Sequence, residues 1–427
     1  GDVKTAGSGS YGIVAQSGFQ QSTGVLDPGR PGGNITVDYS GTLQGGSGEG
    51  AAIVVDGGRS NTIVIGAGSH VSALSGKAVT STFGEDTVRN YGTLAGDIEL
   101  AHGGTKERNE FRNEFGGTYI SNARGGTISI SNGYGWFYNH GTFDVGGVGK
   151  IATATVKNAE FLLGGTLLVD VNSVAAAGTP KADLLQASRL TVDGVTIRPN
   201  AVEGLLPGSF TVVSASSLLT GRPATAAGSP ESPISWSAAQ KGNDISISPS
   251  ADFIGKAGGD LTDTERSLVG GLQQAWDTSN VNMAGLFADM SNIDSAQKYT
   301  TMINSLATTE DLGQSAMQQT LTGRRSLNAA LSCPVFDGAG VSLRETQCVW
   351  SRIIGSRMKD DKGGTGDGFS RNGMSYRMGG QWRVGPDWFL GATAAYSTSS
   401  MHTNDDLTAI KGKSGDVSVS LKHQAGP

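Results

Sequence analysis

The chain has 427 residues, with 66 glycines, 12 prolines, 16% charged residues and a net charge of −6. Glycine is about twice its usual share and charge falls well below the usual quarter, which suits many short strands joined by tight turns. The acidic balance, with no Lys/Arg stripe, argues against nucleic acid as a partner. The absence of any apolar run of about 18 residues argues against a transmembrane helix.

Residues 1–166 carry a repeat. Gly41-Thr42, Gly68-Ser69, Gly92-Thr93, Gly117-Thr118, Gly141-Thr142 and Gly165-Thr166 recur at intervals of 27, 24, 25, 24 and 24 residues. A period in the twenties means a solenoid with one repeat per turn. Leucine-rich repeats would need Leu at fixed offsets and helical segments, and neither is present. A right-handed parallel β-helix fits better. Short strands such as Ile53-Val54-Val55 and Thr62-Ile63-Val64-Ile65 would bury their apolar side chains. Gly and Asn would make the corners, where φ can be positive.

The period fades from Leu167 to residue 255, where strands continue with longer connections. A solenoid end exposes unpaired strand edges, and this segment stands where a cap belongs. Residues 256–331 switch to helical spacing. Thr262-Asp263-Thr264-Glu265 matches a capping box, and Leu268, Leu272, Ala275 and Trp276 follow at helical intervals. A last helix over 310–331, with a thin apolar stripe and Arg324-Arg325 near its end, suits a wet channel.

Residues 332–427 open on Cys333 and Cys348, fifteen apart. The pair could be two free thiols, a metal pair or a disulfide. No two further ligands stand nearby for zinc, so the expectation is a Cys333–Cys348 disulfide, which would contribute roughly 3 kcal/mol and implies an oxidising compartment. Four strands follow, over 349–358, 374–384, 388–400 and 416–422. In Met374–Ser400, Tyr376, Met378, Trp382 and Val384 fall on one face and Ser375, Arg377, Gln381 and Arg383 on the other. Trp388, Leu390, Ala392, Ala394 and Tyr396 continue the apolar side. One wet face and one apolar, aromatic-rimmed face is the pattern of a membrane β-barrel wall. Closure takes about eight strands, so the expectation is an incomplete barrel in a piece of a longer chain. The fold class expected is mainly β: parallel β-helix, short helical linker, first strands of an antiparallel outer-membrane barrel.

The stretches GGTLLVDVN, GSFTVVSA, ISWSA and ISISPSADF resemble the pertactin-like end of an autotransporter passenger. LTDTERSLVGGLQQAWDTS resembles the linker that follows it, SCPVF…ETQCVW the loop before the first barrel strand, and GMSYRMGGQWRVGPDWFLGATAAYSTSS the early barrel strands. The chain thus resembles the classical autotransporters, self-delivering surface proteins of Gram-negative bacteria. The resemblance covers roughly 160–427. It implies an outer-membrane barrel, a surface-displayed passenger, a folding role for the cap and a helix in the pore near Ser315–Leu331. It also implies contact with membrane lipid and the barrel-assembly machinery. Some relatives cut themselves at an Asn-Asn pair; here the sequence reads Asn328-Ala329.

No assembled catalytic set is evident. There is no GxSxG, and His70, His102, His140, His402 and His423 are scattered. Neither cofactor nor metal is expected. Two surface features remain. Glu107, Arg108, Glu110, Arg112 and Glu114 form a mixed-charge stretch whose acids could serve polysaccharide cleavage. Tyr134, Trp136, Phe137 and Tyr138 form an aromatic cluster that could bind sugar rings, a host surface or a like passenger, or stack inside the solenoid. Arg324, Arg325, Arg377 and Arg383 are the candidate pore-lining residues. The expected function is an adhesin or self-association module displayed by its own translocator, with a polysaccharide hydrolase as the alternative.

Overall fold

The structure, a computed structural model, describes residues 1–20, 26–100, 108–130, 135–257, 261, 263–306, 334–336, 343–360, 369–403 and 409–424. It divides into two compact units: Gly1–Lys256 with Leu272–Tyr299, and Ala257–Gly271 with Thr300–Pro427.

The first unit is a parallel β-solenoid of about seven turns. Its strands stack in parallel ladders, two of which carry the inner columns described below. One runs through Thr42–Gly45, the start of His70–Ser81, the start of Thr93–Leu100, Thr118–Ile120, Thr142–Asp144, Thr166–Val171 and Thr196–Ala201. A second joins Thr36–Tyr39, Ser60–Ile65, Glu85–Asn90, Glu110–Asn113, Trp136–Asn139 and the end of Thr153–Phe161. Pairing is in register, so each buried position stacks on its equivalent one turn below. The inward residues Val88, Leu94, Phe111, Tyr119, Phe137 and Phe143 are all fully buried.

Like stacks on like inside. Phe111 and Phe137 lie face to face at 4.9 Å, Tyr119 and Phe143 at 5.1 Å, and the two columns meet edge-on. Offset and T-shaped contacts are the favoured aromatic geometries. Three successive turns place Asn at one equivalent position, and these make a polar column beside the aromatic ones. Asn90 Nδ2 donates to Asn113 Oδ1 at 2.8 Å, and Asn113 Nδ2 donates to Asn139 Oδ1 at 2.8 Å and to the Thr142 carbonyl at 2.8 Å. All three are buried. The expectation that Asn serves by adopting positive φ at corners is therefore corrected: these residues satisfy buried backbone groups from within. The Gly of the Gly-Thr pairs is likewise chosen for close approach in the later turns. A Cβ on Gly117 would sit 2.2 Å from the Asn90 carbonyl oxygen, and one on Gly141 2.3 Å from that of Gly117.

The solenoid pattern continues beyond 166, as far as Thr225–Ala226. There the pairing changes hand. Ile234–Lys241 and Asp244–Ala251 form an antiparallel hairpin whose second strand pairs antiparallel with Phe210–Ser214. A turn of helices closes the same unit. The Phe253 ring packs on Phe287 at 5.5 Å, and Phe287 on Trp276 at 5.2 Å. The helix Ala284–Ser291 is fixed by polar contacts at its ends. The Ser232 hydroxyl donates to the Met290 carbonyl, the Leu205 N–H to the Ala284 carbonyl, and Asn292 Nδ2 to the Ala201 carbonyl. Of the stretch 256–331 read as linker, Leu272–Tyr299 thus belongs with the solenoid. Its apolar side chains are consumed in covering that unit. Thr262 of the capping box and the helix expected over 310–331 lie outside the described residues.

In the second unit, Cys348–Asp360, Phe369–Arg383, Trp388–Thr403 and Ala409–His423 form a four-stranded antiparallel sheet in sequential order.

Replacing Asn113 by Ala breaks the column at its middle and leaves Asn90, Asn139 and the Thr142 carbonyl short of partners. The expected loss is about 3 kcal/mol, read from urea unfolding of the solenoid. Phe137→Ala should cost about 3–5 kcal/mol by opening a cavity in the aromatic column.

Candidate functional site

The sheet in the second unit is built on strict alternation. Tyr376 stands opposite Tyr396, Met378 opposite Ala394 and Trp382 opposite Leu390. Ala392 stands opposite Val419 and Leu390 opposite Leu421. With Val349 and Ile353 these form one apolar face, largely exposed: Val349 is 80% and Val417 78% accessible. So large an exposed apolar surface has a physical reason only if something apolar covers it. Lipid does so in a barrel wall, where all backbone groups are already paired.

The other face is polar. Arg377 pairs across the strands with Ala395, and Ala395 with Asp416. The small Ala395 leaves a gap through which the buried Arg377 guanidinium reaches Asp416 at 3.1 Å. The Ser397 hydroxyl donates to Ser375 Oγ at 2.8 Å, and Thr393 and Ser418 share a hydrogen bond at 2.6 Å. Gly379 lies beneath the Trp350 ring, and a Cβ there would approach the ring to 2.6 Å. The Arg383 guanidinium sits 5.3 Å from the Phe389 ring.

Arg377 and Arg383 therefore both stand on the polar face, opposite in parity to the apolar one. Arg324, Arg325 and Cys333 lie outside the described residues, while Cys348 opens the first strand opposite Gln381. Sequence reasoning missed Asp416 as the partner of Arg377. Its signal was present, an acid at an inward position of an alternating strand, but the partner depends on register.

In the solenoid, the aromatic cluster separates. Phe137 is fully buried and is corrected out of any ligand patch, because alternation turns it into the aromatic column. Trp136 and Tyr138 stand on the outer face, half-buried, with rings 6.3 Å apart. Tyr134 lies outside the described residues. The register sets Glu110 beside Trp136, Arg112 beside Tyr138 and Glu160 on the far side of Tyr138. Arg112 is bound to Glu110 at 2.8 Å and lies 4.4 Å over the Tyr138 ring. Partial burial and the Glu110 and Glu160 carboxylates push the Tyr138 hydroxyl up, so it remains a neutral donor at physiological pH.

Sequence reasoning also passed over three buried carboxylates, Asp144, Asp170 and Asp183. Burial pushes Asp183 up to about 8, against N–H donors from Asp170 and Ala152 that favour its carboxylate. Burial, then the Asp170 charge, pushes Asp144 up to about 6. No group of three or more His, Cys, Asp or Glu is placed to hold a metal ion among the described residues.

Unfolded carboxyls titrate near about 3.9, so between roughly pH 4 and 8 the unfolded state binds fewer protons than the folded one, and stability falls as pH rises. The melting temperature of the solenoid should drop from pH 5 to pH 8 and level off above that. Asp183→Asn should flatten most of the slope while lowering stability by about 1–3 kcal/mol, since its amide faces an N–H donor. In the wall, Arg377→Met and Asp416→Ala should each destabilise the sheet. The double variant should lose less than their sum by about 1–3 kcal/mol, measured by unfolding in micelles.

The Autotransporter beta-domain family matches residues 349–427, which take in nearly all of the four-stranded sheet. No curated protein and no solved structure matches the chain. Residues 349–427 are thus an autotransporter β-domain, and a β-solenoid ahead of a sheet with one apolar and one polar face fits a piece of a classical autotransporter, a self-translocating outer-membrane protein of Gram-negative bacteria.

Proposed function

We propose that the solenoid is a passenger displayed at the cell surface, acting as a non-enzymatic adhesin or self-association module. The observation that carries this reading is the outer-face pair Trp136 and Tyr138, framed by Arg112, Glu110 and Glu160. Half-buried Trp, Tyr and Arg are the residues that anchor binding interfaces. Their backbone is held rigid by pairing on both sides, so little conformational freedom is lost on binding. The same face is poorly suited to polysaccharide hydrolysis: Glu110 is engaged by Arg112 at 2.8 Å, where cleavage needs two carboxylates facing one bond. The partners in this reading are a host surface or like passengers for the solenoid, and membrane lipid and the barrel-assembly machinery for the β-domain. A Cys333–Cys348 disulfide belongs to the same proposal.

Cells displaying the full chain should lose adherence or autoaggregation when Trp136→Ala and Tyr138→Ala are combined, with apparent affinity reduced at least about tenfold. Surface-labelled passenger at wild-type level controls for folding. Unchanged adherence and aggregation, or polysaccharide turnover abolished by Glu110→Gln, would reverse the assignment.

A further inference from the structure

The apolar face of the sheet changes character along its strands. From Val384 back to Met374 its positions are apolar or aromatic apart from Gly380. Ten residues of strand span roughly 34 Å, which at a tilt of about 40° matches the apolar band of an outer-membrane barrel. One pleat beyond Met374, still on the same face, the register aligns Arg357, Asn372, Ser400 and Lys411 in a single cross-strand row. The adjoining row runs Gly355, Met374, Thr398 and Lys413. A guanidinium on the first strand thus faces two ammonium groups on the fourth, with Asn372, Ser400, Thr398 and the apolar Met374 between them.

These rows line an open groove of about 920 Å³. Three strand spacings put its basic walls about 14 Å apart. Arg357, Lys411 and Lys413 are exposed. Cations on the lipid side of a barrel are costly at mid-bilayer and tolerated at the headgroup level, and this cluster stands just past the end of the apolar band. The end is also defined. The strands meeting there are joined by eight and five residues (361–368 and 404–408), whereas the opposite end has the short turn at 384–387. Longer connections face the cell exterior in such barrels.

We propose that this groove binds the phosphate headgroup of an anionic lipid of the outer leaflet, whose chains lie along Met374 and Tyr376. Arg357, Lys411 and Lys413 supply the charge, and Asn372 and Ser400 donate hydrogen bonds to phosphate oxygens. The proposal rests on the apolar face being the lipid side.

The test uses the full-length protein in neutral detergent, with phosphatidic acid, phosphatidylcholine or inorganic phosphate added and bound lipid counted by native mass spectrometry. The expected result is one retained phosphatidic acid, held well above phosphatidylcholine and not displaced by millimolar phosphate. The Arg357→Gln/Lys411→Gln/Lys413→Gln variant should lose about fivefold per residue, the equivalent of ~1 kcal/mol for each basic group near a membrane. The charge-preserving Arg357→Lys/Lys411→Arg/Lys413→Arg variant should retain the lipid, which separates charge from folding. Equal retention of both lipids, an undiminished preference in the Gln variant, or displacement by free phosphate would overturn the headgroup site. Retention of neither lipid would overturn the lipid-side assignment itself.

Discussion

In-register parallel pairing of successive coils is the constraint on which the solenoid depends. Once each strand sits directly over its equivalent, inward positions stack into columns, apolar along most of their length and Asn or aromatic over runs of successive turns. A column of Phe gains stacking contacts, and a column of Asn satisfies its own donors and acceptors along with the backbone around it. A one-residue slip would turn each column to the outside. The hydrophobic core and the polar ladder therefore enforce the same register, and the Gly-Thr corners allow the close backbone approach that this register requires.

The same logic forces the end of the unit. Parallel coils cannot stop without exposing a row of unpaired backbone groups. The chain responds by reversing direction, so that the antiparallel hairpin of Ile234–Ala251 occupies the last edge. The helix Ala284–Ser291 then lies over it, tied by hydrogen bonds from Ser232 and Asn292. The buried acids Asp144 and Asp183 lie within these later turns, where they make folding sensitive to proton concentration.

The β-domain sheet handles its backbone differently. Antiparallel pairing with a period of two separates an apolar face from a polar one, and the polar face completes its own interactions. Arg377 reaching over Ala395 to Asp416 shows how a charge is kept in a wall without being stranded. A solenoid that buries likeness and a sheet that exposes difference follow from the same alternation of side chains, applied to parallel and antiparallel neighbours.

Much of this was legible in the sequence. The repeat near 24 residues specified stacked coils, because equivalent positions must recur for columns to form. The alternation of Tyr376, Met378 and Trp382 against Arg377 and Gln381 specified a two-faced wall, because strand side chains point to opposite sides by local geometry alone. What the sequence by itself could not determine is which strands meet. That the Asn residues line the interior, that Phe137 is core while Trp136 and Tyr138 are surface, that Leu272–Tyr299 joins the solenoid, and that Arg377 finds Asp416 were all decided by the tertiary structure. Each depends on register or packing between segments distant along the chain, and no local propensity records such a pairing.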